Sequence, residues 1–287
     1  MTALQYGVHS STAPLQVVLV KRPGPAFGRA FDDPAHGFLR PVDLDRARRE
    51  HAALVSLLEG LGVRVHVLDD ETETDPDLVY VFDPLLVLES GAVPLRPAKP
   101  NRAGEPAVLE DWLNAREVPT AGRIEAPGTV EAGDTVWLQE NVFVIGRSLR
   151  TNDAGARQLA GIIGGDVRIV DLPYWKGPAE LVHLMSVISP VSDDLAVVFL
   201  PLLPAGLHQW LAELGIRLVT VPEAEYLTLG ANVLAVRPGV VIVADGNPLT
   251  RRGLEAAGVE VHAVALAEVG GNGSGGVTCL TRPLLRG

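Results

Sequence analysis

One thiol, one imidazole and several acids recur along this chain at a common spacing. Cys279 lies in GGVTCLTRP, His183 in ELVHLMSVI, Glu131 and Asp134 in TVEAGDTVWL, and Asp83 in VYVFDPLLV. Asn232, in LGANVLAV, falls at the same phase, and successive positions stand roughly fifty residues apart. Cys279 is the sole cysteine, so it is the only thiol nucleophile available. His183 is the natural proton shuttle. This set suits attack on a flat, resonance-stabilised cation such as a guanidinium. That carbon is a poor electrophile, and reaction needs a strong nucleophile, carboxylates to hold the planar fork and an acid for the departing amine. Asp83 can accept paired guanidinium N–H bonds. Glu131 can orient and charge-stabilise His183 while facing the ligand. Asp134 reads as a supporting or turn residue, and Asn232 as a residue that bonds only backbone. Taken singly, each has an ordinary reading: cysteine as a small buried hydrophobe, aspartate before proline as a turn former. Their joint phase is what weakens those readings for the cysteine, the histidine and the acids.

The elements that must position these residues repeat as well. Short Val/Leu-rich strands bounded by Gly, Pro, Asp or Asn alternate with short amphipathic helices. One unit runs from VRVHVLDD through LVYVFDPLLVLESGAVPL to EPAVLEDWLNARE. Others run from GRIEAPGTVEAGDTVWL to TNDAGARQLAGII, from DVRIVDLP to GLHQWLAEL, and from IRLVTVP to NPLTRRGLEAAG, and a last one ends in VTCLTRP. The helix LDRARREHAALVSLLEGL spaces Leu54, Leu57, Leu58 and Leu61 by three and four. Trp112 and Trp210 fall in predicted helices and read as packing residues. Units mixing strands with one helix exclude an all-helical solenoid. Two arrangements remain open: five units closing into a ring with a polar crevice on the axis, or an ordinary α/β sheet with irregular connections. Residues 1–14 read as a flexible tail and 15–287 as one domain.

Bulk composition narrows the partners. A net charge of -11, with no basic cluster, argues against nucleic acid and mildly favours a cationic ligand. One cysteine cannot form an internal disulfide, the N-terminus does not read as a signal peptide, and no apolar run approaches a bilayer's width; a cytoplasmic protein without membrane contact is expected. The run GGNGSGG lacks the strand-before, helix-after context of a phosphate loop, and no His/Cys pair has structural-zinc spacing. No cofactor and no metal are expected. A homodimer is the default for quaternary structure.

Five stretches carry a family resemblance: FDP at 82–84, IEAPGTVEAGD at 124–134, RTNDAGARQL at 150–159, HL at 183–184 and GGVTCLTRPL at 275–284. Together they resemble the dimethylarginine dimethylaminohydrolases, within the guanidino-group-modifying (amidinotransferase, or pentein) superfamily. The resemblance implies an α/β fold, a five-bladed propeller of ββαβ repeats around a central polar crevice. It implies Cys279, His183 and Glu131 as the catalytic set. Cys279 would form a covalent thiouronium, His183 would act as acid and then base, and Glu131 would support it. Asp83, Phe82, Asp134, Arg102 and Arg150 make up the implied substrate-binding set, with the two arginines gripping an α-carboxylate. The loop GPAFGRAFDD, 24–33, stands where such enzymes carry a lid. One departure is Met185, where the superfamily's deiminases place a second carboxylate two residues after the histidine. The leading expectation is hydrolysis of N-methylated arginine to citrulline and methylamine or dimethylamine. An arginine deiminase or dihydrolase, an amidinotransferase, and a non-catalytic binding module of the same fold are the alternatives.

Overall fold

The computed structural model describes residues 4–68, 75–177 and 182–287. Its elements alternate as short strand pairs and single helices. The first strand, β1 (Leu15–Lys21), leads through a long connection to α1 (Leu44–Gly60) and then β2 (Arg64–Leu68). The second group is the hairpin β3 (Leu85–Leu88) and β4 (Gly91–Pro94), followed by α2 (Glu105–Asn114). The third is β5 (Thr135–Gln139), β6 (Val142–Arg147), α3 (Asp153–Ile163) and β7 (Asp166–Asp171). The fourth is β8 (Ile188–Ser192), β9 (Leu195–Val198), α4 (Ala205–Glu213) and β10 (Arg217–Thr220). The fifth is β11 (Val233–Arg237), β12 (Val240–Ala244), α5 (Pro248–Ala256) and β13 (Glu260–Val264), and β14 (Arg282–Arg286) ends the chain.

Among the described residues these strands form five separate sheets. In each full sheet the middle strand pairs antiparallel with the inner one and parallel with the outer one, as β6 does with β5 and β7. A parallel partner needs a crossover, and the helix of each unit supplies it. This is a five-bladed α/β-propeller. Its first blade is built from both chain ends: β14 pairs antiparallel with β1, Leu15 opposite Arg286 and Leu19 opposite Arg282. The second blade's outer strand shrinks to a single parallel bridge, Ala92 to Thr120.

Two boundaries differ from the sequence reading. The units read from sequence began on the outer strand, as in VRVHVLDD; residues 64–68 of it pair instead with β1 and close the preceding blade. The period was legible but its phase was not, because a short Val-rich strand looks alike in either role. The N-terminal segment, expected to be a flexible tail, packs on the domain from residue 4 onward. Gly7 bridges to Leu285, and Ser10 and Thr12 are buried. The Ser10 hydroxyl accepts the Thr12 and Ala13 N–H groups in a local turn. Residues 1–3, 69–74 and 178–181, including the end of VRVHVLDD, lie outside the described residues.

Each helix buries one stripe against its blade. In α1, Ala47, Leu54 and Leu58 are fully buried, while the Asp43 carboxylate caps the start by accepting the Arg46 N–H. Trp210 of α4 is buried as expected, and Trp112 of α2 is partly so. No helix among the described residues is long and apolar enough to cross a membrane.

Helix α3 comes close to a site loop at Gly155. Asn152 caps α3 by accepting the Gly155 N–H, and the same oxygen accepts the Thr129 N–H two residues before Glu131. A Cβ at Gly155 would stand 2.2 Å from the Thr129 carbonyl oxygen. Alanine is the better helix former by ~1 kcal/mol, so helix propensity alone says Gly155→Ala stabilises. The close approach reverses the sign. Gly155→Ala is expected to destabilise by about 1–3 kcal/mol, the usual range for overpacking, read as a lower urea midpoint with an unchanged slope; a raised midpoint would refute the close approach.

Candidate active site

Every inner strand is preceded by a turn that carries a chemistry-bearing residue. Asp83 precedes β3, Glu131 and Asp134 precede β5, His183 precedes β8, Asn232 precedes β11 and Cys279 precedes β14. Three loops are sewn together by backbone. The Ala132 N–H donates to the Asp83 carbonyl at 2.9 Å, and the Phe82 N–H to the Cys279 carbonyl at 3.2 Å. The Leu184 N–H donates to Asp134 Oδ1 at 3.1 Å.

Glu131 and Asp134 flank one turn of 3-10 helix, Ala132–Asp134. Residues three apart eclipse in such a turn, so both carboxylates reach the same imidazole. Asp134 Oδ1 meets His183 Nδ1 at 3.1 Å, and Glu131 Oε2 lies 3.5 Å from His183 Nε2. Asp134 is also held by the Ser148 hydroxyl at 2.6 Å. It therefore sits behind the histidine, fixing ring orientation, and not on a ligand's side. Burial alone would lower the His183 pKa. The charge and hydrogen bond of Asp134 outweigh it, Glu131 and Asp83 add to them, and the pKa rises to about 9.

Gly133 lets the loops approach. A Cβ there would stand 3.0 Å from Asp83 Oδ1 and 3.2 Å from His183 Cγ. Asp83 is buried, accepting the Gly133 N–H at 3.1 Å on one oxygen and Arg102 Nη1 at 2.9 Å on the other. Burial would raise its pKa, but Arg102 and then His183 hold it below the usual carboxylate value.

Arg102 departs from its expected place. It is buried, and Glu105 takes its Nε and Nη2 in a bidentate pair at 2.8 Å each while Asp83 takes Nη1. It serves as the counter-charge of Asp83, not as an open carboxylate grip. A buried acid at Glu105, only three residues on, takes up the fork, and burial pushes that acid up to about 8. Arg150 keeps 17% of its side chain exposed and donates Nη1 to Glu131 Oε1 at 3.2 Å. Phe82 also differs: its ring lies under Arg282, whose Cζ is 3.8 Å from the ring centroid. Met185 is buried in the wall of a cavity at the hub, away from a role as ligand to a cation. The loop 24–33 is packed down: Phe27 is buried edge-on against Phe38, and His36 just beyond bonds Asp77 at 2.9 Å.

Cys279 is partly exposed. Burial, and then the charge of Asp83, push its thiol up to about 11, against hydrogen bonds at Gly276 and Thr278. Asn232, read from sequence as a backbone clamp, does more than that. Its Oδ1 accepts both the N–H and the hydroxyl of Thr278, at 3.0 and 2.9 Å, and its Nδ2 points at Cys279 Sγ from 3.8 Å. The glycines before Cys279 serve this packing and not an open ligand approach. A Cβ at Gly276 would collide with Asn232 Oδ1 at 2.2 Å, and one at Gly275 with the Tyr80 ring at 2.4 Å. The shared phase of Asn232 with the other site residues was the signal that could have found it.

A partly exposed cysteine, a histidine held between carboxylates and further buried acid on a propeller hub define a guanidino-modifying hydrolase of the pentein fold. The chain belongs to the arginine deiminase family, whose model matches residues 76–205 and 201–286. Among its relatives, the dimethylarginine dimethylaminohydrolase of Pseudomonas aeruginosa is 31% identical over 67% of this chain and 87% of that protein. The Streptomyces coelicolor enzyme of the same name is 28% identical over 93% of this chain and 96% of its own. A solved structure of the Pseudomonas aeruginosa enzyme, a serine-for-cysteine variant complexed with citrulline, superposes with a TM-score of 0.78 at 27% identity. It covers 94% of this chain and 99% of that one.

Two measurements probe the site. The folded His183 pKa of about 9 lies above its usual 6.5, so the protonated ring stabilises the fold fully below pH 6.5. That stabilisation is lost as pH rises through 9. Between pH 6 and 9.5 the wild-type melting temperature should therefore fall more steeply than that of His183→Gln, and parallel slopes would sink the assignment. For Asn232, the readout is the pH profile of Cys279 alkylation by iodoacetamide. Asn232→Asp places an acid beside the sulfur and should move the profile upward. Unchanged profiles in both Asn232→Asp and Asn232→Ala would reduce Asn232 to a clamp on Thr278.

Proposed function

We propose that the protein hydrolyses the guanidinium C–N bond of an N-methylated arginine, releasing citrulline and methylamine or dimethylamine through a covalent intermediate on Cys279. The observation that carries this reading is Glu131 Oε2, a fully buried carboxylate oxygen with no hydrogen-bond partner among the described residues, 3.5 Å from His183 Nε2. An orphaned acidic oxygen in a buried site calls for a cationic N–H donor. Glu131 and Asp83 can hold two edges of one guanidinium, with the thiol against its carbon. The two related enzymes named for dimethylarginine support the substrate class.

The mechanism follows from the two perturbed groups. At neutral pH the thiol, at about 11, is protonated and His183, at about 9, is the imidazolium. A bound guanidinium places positive charge beside the sulfur and favours loss of the thiol proton to solvent. The thiolate attacks the guanidinium carbon, and the C–N bond to the methylated nitrogen breaks. His183 gives its proton to the departing amine. Water then adds to the thiouronium with His183 as base, the C–S bond breaks, and the ureido product forms with the thiol restored.

With Arg102 engaged, the α-carboxylate falls to Arg150 and to Lys99, which sequence reading passed over. Burial lowers the Lys99 pKa first and the charge of Arg150 lowers it further. Two cations that repel one another at the edge of the site suit a shared carboxylate. Met185 in place of a second acid removes one negative charge from the guanidinium's surroundings, as a substituted nitrogen prefers.

The test is a substrate panel of L-arginine, monomethyl- and dimethylarginine and agmatine, assayed for ureido product. Dimethylarginine should yield citrulline, agmatine should not, and Cys279→Ser should lose on the order of 10³-fold or more. Citrulline formation by the serine variant would overturn the covalent route. Preference for arginine itself would move the protein to the deiminase reading.

A further inference from the structure

Behind the catalytic loops lies a cavity of about 50 Å³, lined by residues of all five inner strands and by Val8, Ser10 and Ser11 of the N-terminal segment. Two cations from β14 reach into its wall. Arg282 and Arg286 are 3% and 4% exposed, and both line the cavity. Their hydrogen bonds go only to neutral carbonyls. Arg282 Nη2 donates to the Phe82 carbonyl at 2.7 Å, and Arg286 donates Nη1 and Nη2 to the carbonyls of Ala13 and Ala235 at 2.7 and 2.8 Å. Arg282 Nε is buried with no partner. No acidic residue lines the cavity, and among the described residues no carboxylate comes within 4.0 Å of either guanidinium.

We propose that this hub cavity is a binding site for a small monovalent anion of the chloride class, held between Arg282 and Arg286. Elsewhere in this protein the buried arginine of the active site is matched by acids, Arg102 by Glu105 and Asp83. The hub pair has no such match. A guanidinium keeps its proton at neutral pH even when burial lowers its pKa to about 9, as it does for both; at Arg282 the charge of Asp83 offsets part of that lowering and Arg286 adds to it. Arg282 feels Asp83 only from beyond ion-pair distance and rests on the Phe82 ring, and nothing offsets the burial of Arg286; two guanidinium charges with no acid in contact, in an apolar hub, would be destabilising. A diffusible counter-ion removes that penalty, and the unpaired Nε offers it a donor. The volume sets the class: it holds a monatomic ion with a few waters, since one water needs about 10–15 Å³ by the same measure.

The experiment compares chloride or bromide with gluconate, an anion too large to enter, at constant ionic strength and pH. The melting temperature of the full-length protein should rise by a few degrees and saturate as halide replaces gluconate, as mass action on a folded-state site requires. Arg282→Leu and Arg286→Leu should lose the halide-dependent part. Crystals of the unaltered protein soaked in bromide keep the test independent of whether those variants fold. An anomalous peak between Arg282 and Arg286 supports the site. A hub that shows only water, equal melting in chloride and gluconate, or a halide response that survives both substitutions overturns it.

Discussion

Asp83, Glu131 and Asp134 are buried around one imidazole, and an ionised carboxylate taken out of water without partners costs several kcal/mol. The loops around them are arranged to meet that cost. Asp134 is met by His183, the Leu184 N–H and the Ser148 hydroxyl. Asp83 is met by Arg102 and the Gly133 N–H. Glu131 is met on Oε1 by Arg150 and the Ala98 N–H, while Oε2 has only the charge of His183 at 3.5 Å and no hydrogen bond among the described residues. The order of satisfaction separates support from function. Asp134, fully partnered, orients and charges the histidine, while in the proposed complex Asp83 takes one edge of the guanidinium and the incomplete Glu131 is where a cationic donor still gains a bond. Charge also explains why Arg102 could be drawn in: without it, Asp83 would be a buried acid beside the thiol with no cation in contact.

The propeller turns this local arrangement into one site. Each inner strand starts at the hub, so whatever side chain occupies the turn before it is delivered to the axis. The thiol proposed as nucleophile comes last in the chain. Cys279 lies just ahead of β14, and β14 is the strand that closes the ring on β1. The turn that holds the sulfur therefore leads directly into the strand that closes the ring, and that strand also holds the N-terminal segment over the hub through Gly7 and the Arg286 bond to Ala13. The active-site end of the axis is lined by acids and the covered end by arginines, an opposition along the hub that composition alone conceals.

Much of this was readable from residues. The recurrence of a polar residue near every fiftieth position placed Asp83, Glu131, His183 and Cys279 together, because a repeat phase is a statement about rotation around an axis. What failed were side-chain partners, which depend on sub-turn geometry and on charges distant in sequence. Asp134 was read as a supporting or turn residue and grouped with the ligand binders, and only the 3-10 turn reveals that a residue three after Glu131 shares its face. Asn232 had the right phase but lacked an evident chemical task until Thr278 was seen to hold its oxygen and turn its amide toward the sulfur. Arg102 matched the place of a carboxylate grip, yet Glu105 takes its fork. The blade phase was missed because an outer strand of five residues carries no mark of which neighbour it will join.

The two perturbed groups also set a direction for the proposed cycle. With no cation in the site, burial and Asp83 keep Cys279 as the thiol, and the acids keep His183 protonated. The reactive sulfur is thus unmasked by the charge of the substrate itself, so a neutral urea or amide of similar shape gives no thiolate even if it fits. Hydrolysis converts that cation into a neutral ureido group. Glu131 and Asp83 then lose the charge they had been holding, the thiol recovers its proton, and the interaction that favoured binding weakens as the reaction completes. Discrimination against neutral molecules and release of the product come from one term, the charge on the ligand's planar carbon, measured against carboxylates that the fold cannot move away.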